Sequence, residues 1–177
     1  MAGIVKEIGK ERFRVINPGD TYRIGDLLVK SFRIPHDAAE PVGYTFTYGK
    51  KKVAVSTDIG APTDDIILNL SGAQAIILEA NHDIHMLEVG SYPYPLKRRI
   101  LGEYGHLSNE NCGKLLSAIW HEELKTVFLG HLSEENNYPD LAAYAVRNIL
   151  RENCSRYEEY TKIIVASRHQ PSETAVV

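Results

Sequence analysis

The chain has only two cysteines, Cys112 and Cys154, among its 177 residues. They can close at most one disulfide, and both fall in helix-like segments, so a disulfide scaffold and a cysteine-built zinc site are excluded. Such a chain suits a reducing compartment, and the cytoplasm is its expected location. Long apolar runs are lacking too. A run such as Ala73 to Leu78 falls far short of the roughly 20 residues of a membrane span, so no membrane-spanning helix is expected. Lys6, Glu7 and Lys10 interrupt the segment where a secretory signal would need unbroken apolar residues. Nor is there an excess of one charge: 20 basic residues against 23 acidic give a net charge of −3, which advertises no electrostatic wrapping of nucleic acid. Absent motifs exclude further classes. Without a Gly-x-Ser-x-Gly elbow a serine hydrolase is not expected, and without a Gly-x-x-x-x-Gly-Lys-Ser/Thr loop or a Gly-x-Gly-x-x-Gly turn the common nucleotide-binding folds are not either.

What is present reads as one domain over residues 1–177, since domains average about 150 residues. Met1 to Arg12 carry no strong pattern. Strands are expected at Phe13–Ile16, Tyr22–Ile24, Leu27–Ile34, Gly43–Tyr48 and Lys52–Thr57, separated by turn signals such as Asn17-Pro18-Gly19-Asp20 and Gly49-Lys50-Lys51. After Asp58 the character changes. Helix-like Pro62–Leu70, Asp83–Glu88, Pro95–Leu101, Ser108–His121 and Pro139–Arg151 alternate with short apolar strands at Gln74–Leu78, Thr126–Leu129 and Lys162–Val165, and the tail from Ser167 is expected to fray. Leu115, Leu116, Ile119 and Trp120 repeat at helical spacing behind the N-cap candidate Ser108, and such a stripe needs a sheet to cover. The class is therefore α/β, a mixed sheet with covering helices. One internal echo stands out, Gly105-His106-Leu107-Ser108-Asn109-Glu110 against Gly130-His131-Leu132-Ser133-Glu134-Glu135.

Ligands of open α/β layers gather outside the carboxyl ends of the strands, so the polar residues that end apolar runs come first. They are His36, Asp58, Glu79, His82 and His131. Singly, each has an ordinary explanation as a cap or a surface group. Together, histidines and carboxylates from separate strand ends form the mixed set that zinc, manganese or iron accepts. Elsewhere the ordinary readings win. Cys112 and Cys154 read as buried structural thiols, Lys97-Arg98-Arg99 as a solvated helix face, and Tyr92-Pro93-Tyr94-Pro95 as a stiff loop that either lines a mouth or packs.

Five ordered motifs carry a family resemblance: Pro35-His36-Asp37-Ala38-Ala39-Glu40-Pro41-Val42-Gly43-Tyr44, Ser56-Thr57-Asp58-Ile59-Gly60, Leu78-Glu79-Ala80-Asn81-His82-Asp83, Gly105-His106-Leu107-Ser108 and Gly130-His131-Leu132-Ser133. They resemble metallo-β-lactamase-fold hydrolases of the YycJ/WalJ branch, with a more distant likeness to ribonuclease Z, over about Phe13 to Leu150. The resemblance implies the carboxyl-terminal portion of an αββα sandwich. It makes His36 a ligand of a first divalent ion, Asp58 the carboxylate bridging two ions (zinc or manganese), and His131 a ligand of the second, with Asp58, His82 and His106 as the catalytic candidates. The family's His-x-His-x-Asp-His loop is missing, and Leu78 stands where ribonuclease Z has a histidine.

The expected function is accordingly that of a metal-dependent phosphodiesterase, a DNA exonuclease by resemblance, incomplete as this chain alone. Weak or partial metal binding follows, as does a partner: a complementing amino-terminal fragment or a second copy. The alternatives are a non-catalytic interaction module on the same half-fold, or a small-molecule metallohydrolase of thioesterase or lactonase type.

Overall fold

The computed structural model describes residues 13–177. Its centre is one seven-stranded sheet whose strands lie in sequence order: β1 Thr21–Ile24, β2 Leu27–Arg33, β3 Val42–Tyr48, β4 Lys51–Ser56, β5 Ala75–Glu79, β6 Thr126–Gly130 and β7 Lys162–Val165. Strands β1 to β4 pair antiparallel, as the short turns between them require, and β4 to β7 pair parallel through helical crossovers. Because β2 and β4 both run opposite to β3, the carboxyl ends of β2, β4, β5 and β6 emerge along one edge.

The crossovers are α1 Asp64–Leu70, then α2 Ile84–Val89, α3 Tyr94–Leu101 and α4 Asn109–Ile119, and finally α5 Pro139–Asn153 with the short α6 Tyr157–Tyr160. The sequence pattern fixes their starts. Thr63, Asp83 and Ser108 each accept the amide three residues on, at 3.3, 2.8 and 3.2 Å, and Pro139 opens α5 where no amide is needed. Alternate strand residues Phe32, Ala54, Ile76, Leu78, Val127, Leu129 and Ile163 meet Ile66 and Leu70 of α1, Leu115, Leu116 and Ile119 of α4, and Val146 and Leu150 of α5 in one core. At about 1.5–3 kcal/mol for each large apolar side chain removed from water, this layer holds the site edge rigid. The opposite sheet face is also apolar. Val53, Val55, Ala75, Ile77 and Phe128 line a shallow hollow there, and Ile77 is still 39% exposed.

Two expectations need correction, and one element is added. Phe13–Ile16 is not a strand: Phe13 and Val15 are exposed, and among the described residues no ladder partner extends the sheet beyond β1, so alternation there has no face to bury. The tail does not simply fray. Lys162 Nζ holds Glu173 at 2.5 Å, and Ala175 and Val177 lie against the open sheet face. A four-residue helix, α6, went unread because a single turn carries no apolar period. Met1 to Arg12 lie outside the described residues.

Candidate metal centre

Four side chains from the strand-end edge converge. Donor atoms of Asp58, Glu79, His106 and His131 all lie within 4.8 Å of one another. Glu79 closes β5, His131 follows Gly130 at the end of β6, Asp58 lies two residues beyond β4, and His106 comes from the loop between α3 and α4. His36, beyond the end of β2, joins them: its ring centroid is 5.0 Å from that of His106, which is 5.2 Å from that of His131. The three imidazoles thus form a row around Asp58 Oδ1, with His36 Nε2 at 3.7 Å, His106 Nδ1 at 3.7 Å and His131 Nδ1 at 3.6 Å.

Glu79 organises this row. Its side chain is fully buried, and its Oε2 accepts the amides of Ile59 (2.6 Å) and Leu107 (3.2 Å). Oε1 accepts Nδ1–H of both His106 (2.8 Å) and His131 (2.6 Å). Burial pushes the Glu79 carboxyl up, but the bonds from His106, His131 and Ile59 outweigh it and hold the group below its ordinary value, so it is ionised. In return, Glu79 raises the His131 imidazole against the opposing effect of burial. His36 gives its Nδ1 to Gly105 O at 2.9 Å. With Nδ1 engaged, the lone pair of each ring resides on Nε2, the arrangement in which a histidine ligates a metal while a carboxylate or carbonyl behind it sets the tautomer. Glu79 is therefore the group behind the His106 and His131 rings, which turn Nδ1 toward it and toward Asp58, and the candidate donors to an ion are Asp58 with the Nε2 atoms of His36 and His131. Imidazoles and a carboxylate suit zinc, manganese or iron, and the residues present fit part of a two-ion site.

Backbone strain marks the same place. Asp58 (φ 59°) and His131 (φ 57°) are the two non-glycine residues with positive φ among the described residues. Each costs about 1–3 kcal/mol, a cost that persists where the surroundings dictate the conformation. Two glycines allow the close packing that does so. A Cβ on Gly60 would lie 2.2 Å from Glu103 O, and one on Gly105 2.2 Å from Ile100 O.

His82 is placed differently. It is buried, outside the group of four, with Nδ1 3.4 Å from Asn81 Oδ1 and Nε2 without a partner, and burial pushes it down to about 4, so it is neutral. Glu79 was visible as a strand-end residue but carried no assigned role. Its signal was an acid ending a buried apolar strand, where a charge must find partners. Of the basic run, Lys97 Nζ bonds Glu88 O (2.8 Å) and Gly90 O (2.7 Å), and Arg99 holds Asp37 through two bonds (2.5 and 2.8 Å). These side chains brace the His36 loop and the end of α2. Tyr92 lines a cavity of about 380 Å³ beside His106 and His131, bordered also by Arg99, Ser133 and Arg168. Cys112 and Cys154 are buried and unpaired, and burial raises both thiols, as inert structural residues require. No helix among the described residues is long and apolar enough to cross a membrane.

Residues 2–131 match the beta-lactamase superfamily domain. The chain is 38% identical over 152 residues to exodeoxyribonuclease YycJ of Bacillus anthracis, covering 86% of this chain and 58% of that protein. It is 35% identical over 146 residues to exodeoxyribonuclease WalJ of Streptococcus pneumoniae serotype 2, covering 82% and 54%. It thus spans little more than half the length of these relatives. Among solved structures it is similar to Zn(2+)-bound PqqB of Methylobacterium extorquens (TM-score 0.60, 19% identity, 91% of this chain and 55% of that one). It is also similar to the metallo-beta-lactamase fold protein YhfI of Bacillus subtilis (TM-score 0.58, 15% identity, 86% and 50%). With the strand-end donors, the mixed sheet and the matched domain in agreement, this chain belongs to the beta-lactamase superfamily, in its metallo-β-lactamase fold.

Proposed function

We propose that this chain is the carboxyl-terminal part of a metal-dependent phosphodiesterase that degrades DNA from its ends. The observation that carries this is the row of three imidazoles around Asp58, two of them held in one tautomer by the buried Glu79. The relatives named as exodeoxyribonucleases support the substrate class. His36, Asp58 and His131 would hold divalent ions, zinc or manganese, with Asp58 shared between two positions. Such ions, when bound, lower the pKa of water and polarise a phosphodiester.

The chain's own residues do the rest. Glu79 keeps the Nε2 lone pair of His131 free and holds His106 through Nδ1–H, and Asp58 offers both rings a negative neighbour. His106, the middle ring, moves a proton at Nε2 toward the leaving oxygen, with Glu79 stabilising the imidazolium from behind. His82 takes no such part: a ring held neutral down to about pH 4 has no proton to give near neutrality. The cavity beside His106 and His131 receives the end of the strand. The open sheet face of Val53, Val55, Ile77 and Phe128 takes a second layer, from an amino-terminal segment bearing His-x-His-x-Asp-His, which completes the ligand set. Unpaired buried thiols suit work in the cytoplasm.

The test joins the chain to such a segment and assays double-stranded DNA, single-stranded DNA, RNA and a generic phosphodiester, with metal content measured. DNA cleavage lost in Asp58→Ala is the expected result. Cleavage of thioesters or lactones with every phosphodiester left intact would overturn the nuclease reading.

A further inference from the structure

The sequence echo contributes more than its two histidines. Its two copies are built alike: each histidine bonds the same oxygen, Glu79 Oε1, and each following serine accepts the amide three residues on, Asn111 N to Ser108 Oγ at 3.2 Å and Asn136 N to Ser133 Oγ at 3.1 Å. Just after the serines, where Asn109 stands against Glu134, two asparagines meet. Asn109 Nδ2 donates to Asn137 Oδ1 at 3.1 Å, and Asn137 Nδ2 donates to Asn109 Oδ1 at 2.9 Å. Asn109 is 0% and Asn137 5% exposed. Asn137 Nδ2 also reaches Ala80 O (2.9 Å) and Asn81 O (3.0 Å), in the segment that follows Glu79. That segment is stitched to both loops: Asn81 N to Leu107 O at 2.8 Å, Asn109 N to His82 O at 2.9 Å, Ser133 N to Asn81 O at 2.7 Å, and Asn81 Nδ2 to His131 O at 2.8 Å.

We infer that the Asn109–Asn137 amide pair is a positioning device for the histidines. It clamps the His106 and His131 loops onto the strand end that carries Glu79, so that both rings reach one carboxylate oxygen and the Nε2 of His131 is left free for a divalent ion. The physical reason is the demand of that shared acceptor. Two imidazoles from separate loops meet one oxygen at 2.8 and 2.6 Å, and small loop displacements would stretch either bond past hydrogen-bonding range. A reciprocal amide pair has a fixed separation and direction, which apolar packing lacks, and its net effect on stability is small. Orientation is what it contributes.

The metal arm of the test rests on the function proposed above; the first arm does not. In the isotope-labelled chain without metal, the slowly exchanging Nδ1–H protons of His106 and His131 appear at low field in the proton spectrum. Asn109→Ala and Asn137→Ala are expected to lose both signals. Asn69→Ala serves as the control: Asn69 is as deeply buried (4% exposed) but bonds Asp65 O within α1, so this variant should lower the melting temperature and keep the signals. Should the alanine variants fail to fold, Asn109→Ser, which keeps a hydroxyl near Asn137 but falls short of its full reach, is expected to show the same loss. In the second arm, zinc affinity by calorimetry should fall about 10–100-fold in the pair variants. The double variant should fall no further than the worse single one, because the pair acts as a unit. Signals that survive in folded pair variants, or that vanish equally in Asn69→Ala, would overturn the proposal. Signals that behave as expected in a chain without measurable zinc affinity would leave the positioning role standing and count against the metal reading.

Discussion

Replacing Glu79 by glutamine is the most informative single change. Its size is nearly unaltered, but a carboxylate that accepts four bonds, from Ile59 N, Leu107 N, His106 Nδ1 and His131 Nδ1, becomes an amide with one acceptor oxygen and one donor nitrogen. If the oxygen stays with the two backbone amides, the amide nitrogen faces both imidazoles. Each ring can meet it only by moving its proton to Nε2, the nitrogen needed for a metal. If the amide turns the other way, two buried backbone N–H groups face a donor. Bonds to a charged acceptor are worth about 1.5–3 kcal/mol each, and losing two, partly offset by relief of the buried charge, costs roughly 3 kcal/mol. For a domain of this size that is a fall of about 6–12 °C in melting temperature. Zinc affinity should drop at least 10-fold, by about the amount expected for losing the group behind a ligand. Thermal melts by circular dichroism and zinc calorimetry on both proteins read the two effects separately. A Glu79→Gln variant that melts within about 2 °C of the parent and binds zinc equally would refute this account of the centre.

Acid should weaken the fold in a defined window. His82 sits at about 4 in the folded chain against 6.5 unfolded, so the unfolded state takes up more protons as pH falls between those values; the stabilisation is complete above about 6.5 and lost toward 4, in total about 3 kcal/mol. His131, raised by Glu79, works in the opposite sense: its contribution is complete below about 6.5 and is lost as pH rises above that, so it produces no decline toward acid. Urea unfolding from pH 7 to pH 4 should show the decline, and an equally steep decline in His82→Gln would assign it elsewhere. Gly60→Ala and Gly105→Ala should each displace the loop that carries Asp58 or His106, because their Cβ atoms would meet backbone oxygens at 2.2 Å; a loss of stability together with weakened zinc binding is expected, and unchanged calorimetry would show that the loops give way freely. Light scattering should report self-association or capture of an amino-terminal family segment through the Ile77 face, whereas a monomer that binds no apolar dye would remove the need for a second layer.

Much of this protein could be read from its sequence because the relevant signals are local. Hairpin turns, caps such as Ser108 and the apolar period of α4 depend on neighbours a few residues away, and they fix the order and type of the strands from β1 onward and of every helix but the short α6. Polar residues that end apolar runs, His36, Asp58 and His131, were visible for the same reason. Tertiary structure alone decided what those residues do to one another. Whether His82 or His106 joins the centre depends on which loop meets β5 across the fold, and it is His106 that lies within the group, although His82 stands three residues beyond Glu79 in the same motif. The role of Glu79 itself, the positive φ of Asp58 and His131, and the amide pair of Asn109 and Asn137 all arise from contacts between segments distant in sequence. A buried carboxylate becomes an organiser only when the chain around it leaves it no water and supplies donors from separate loops, and no window of sequence contains that condition.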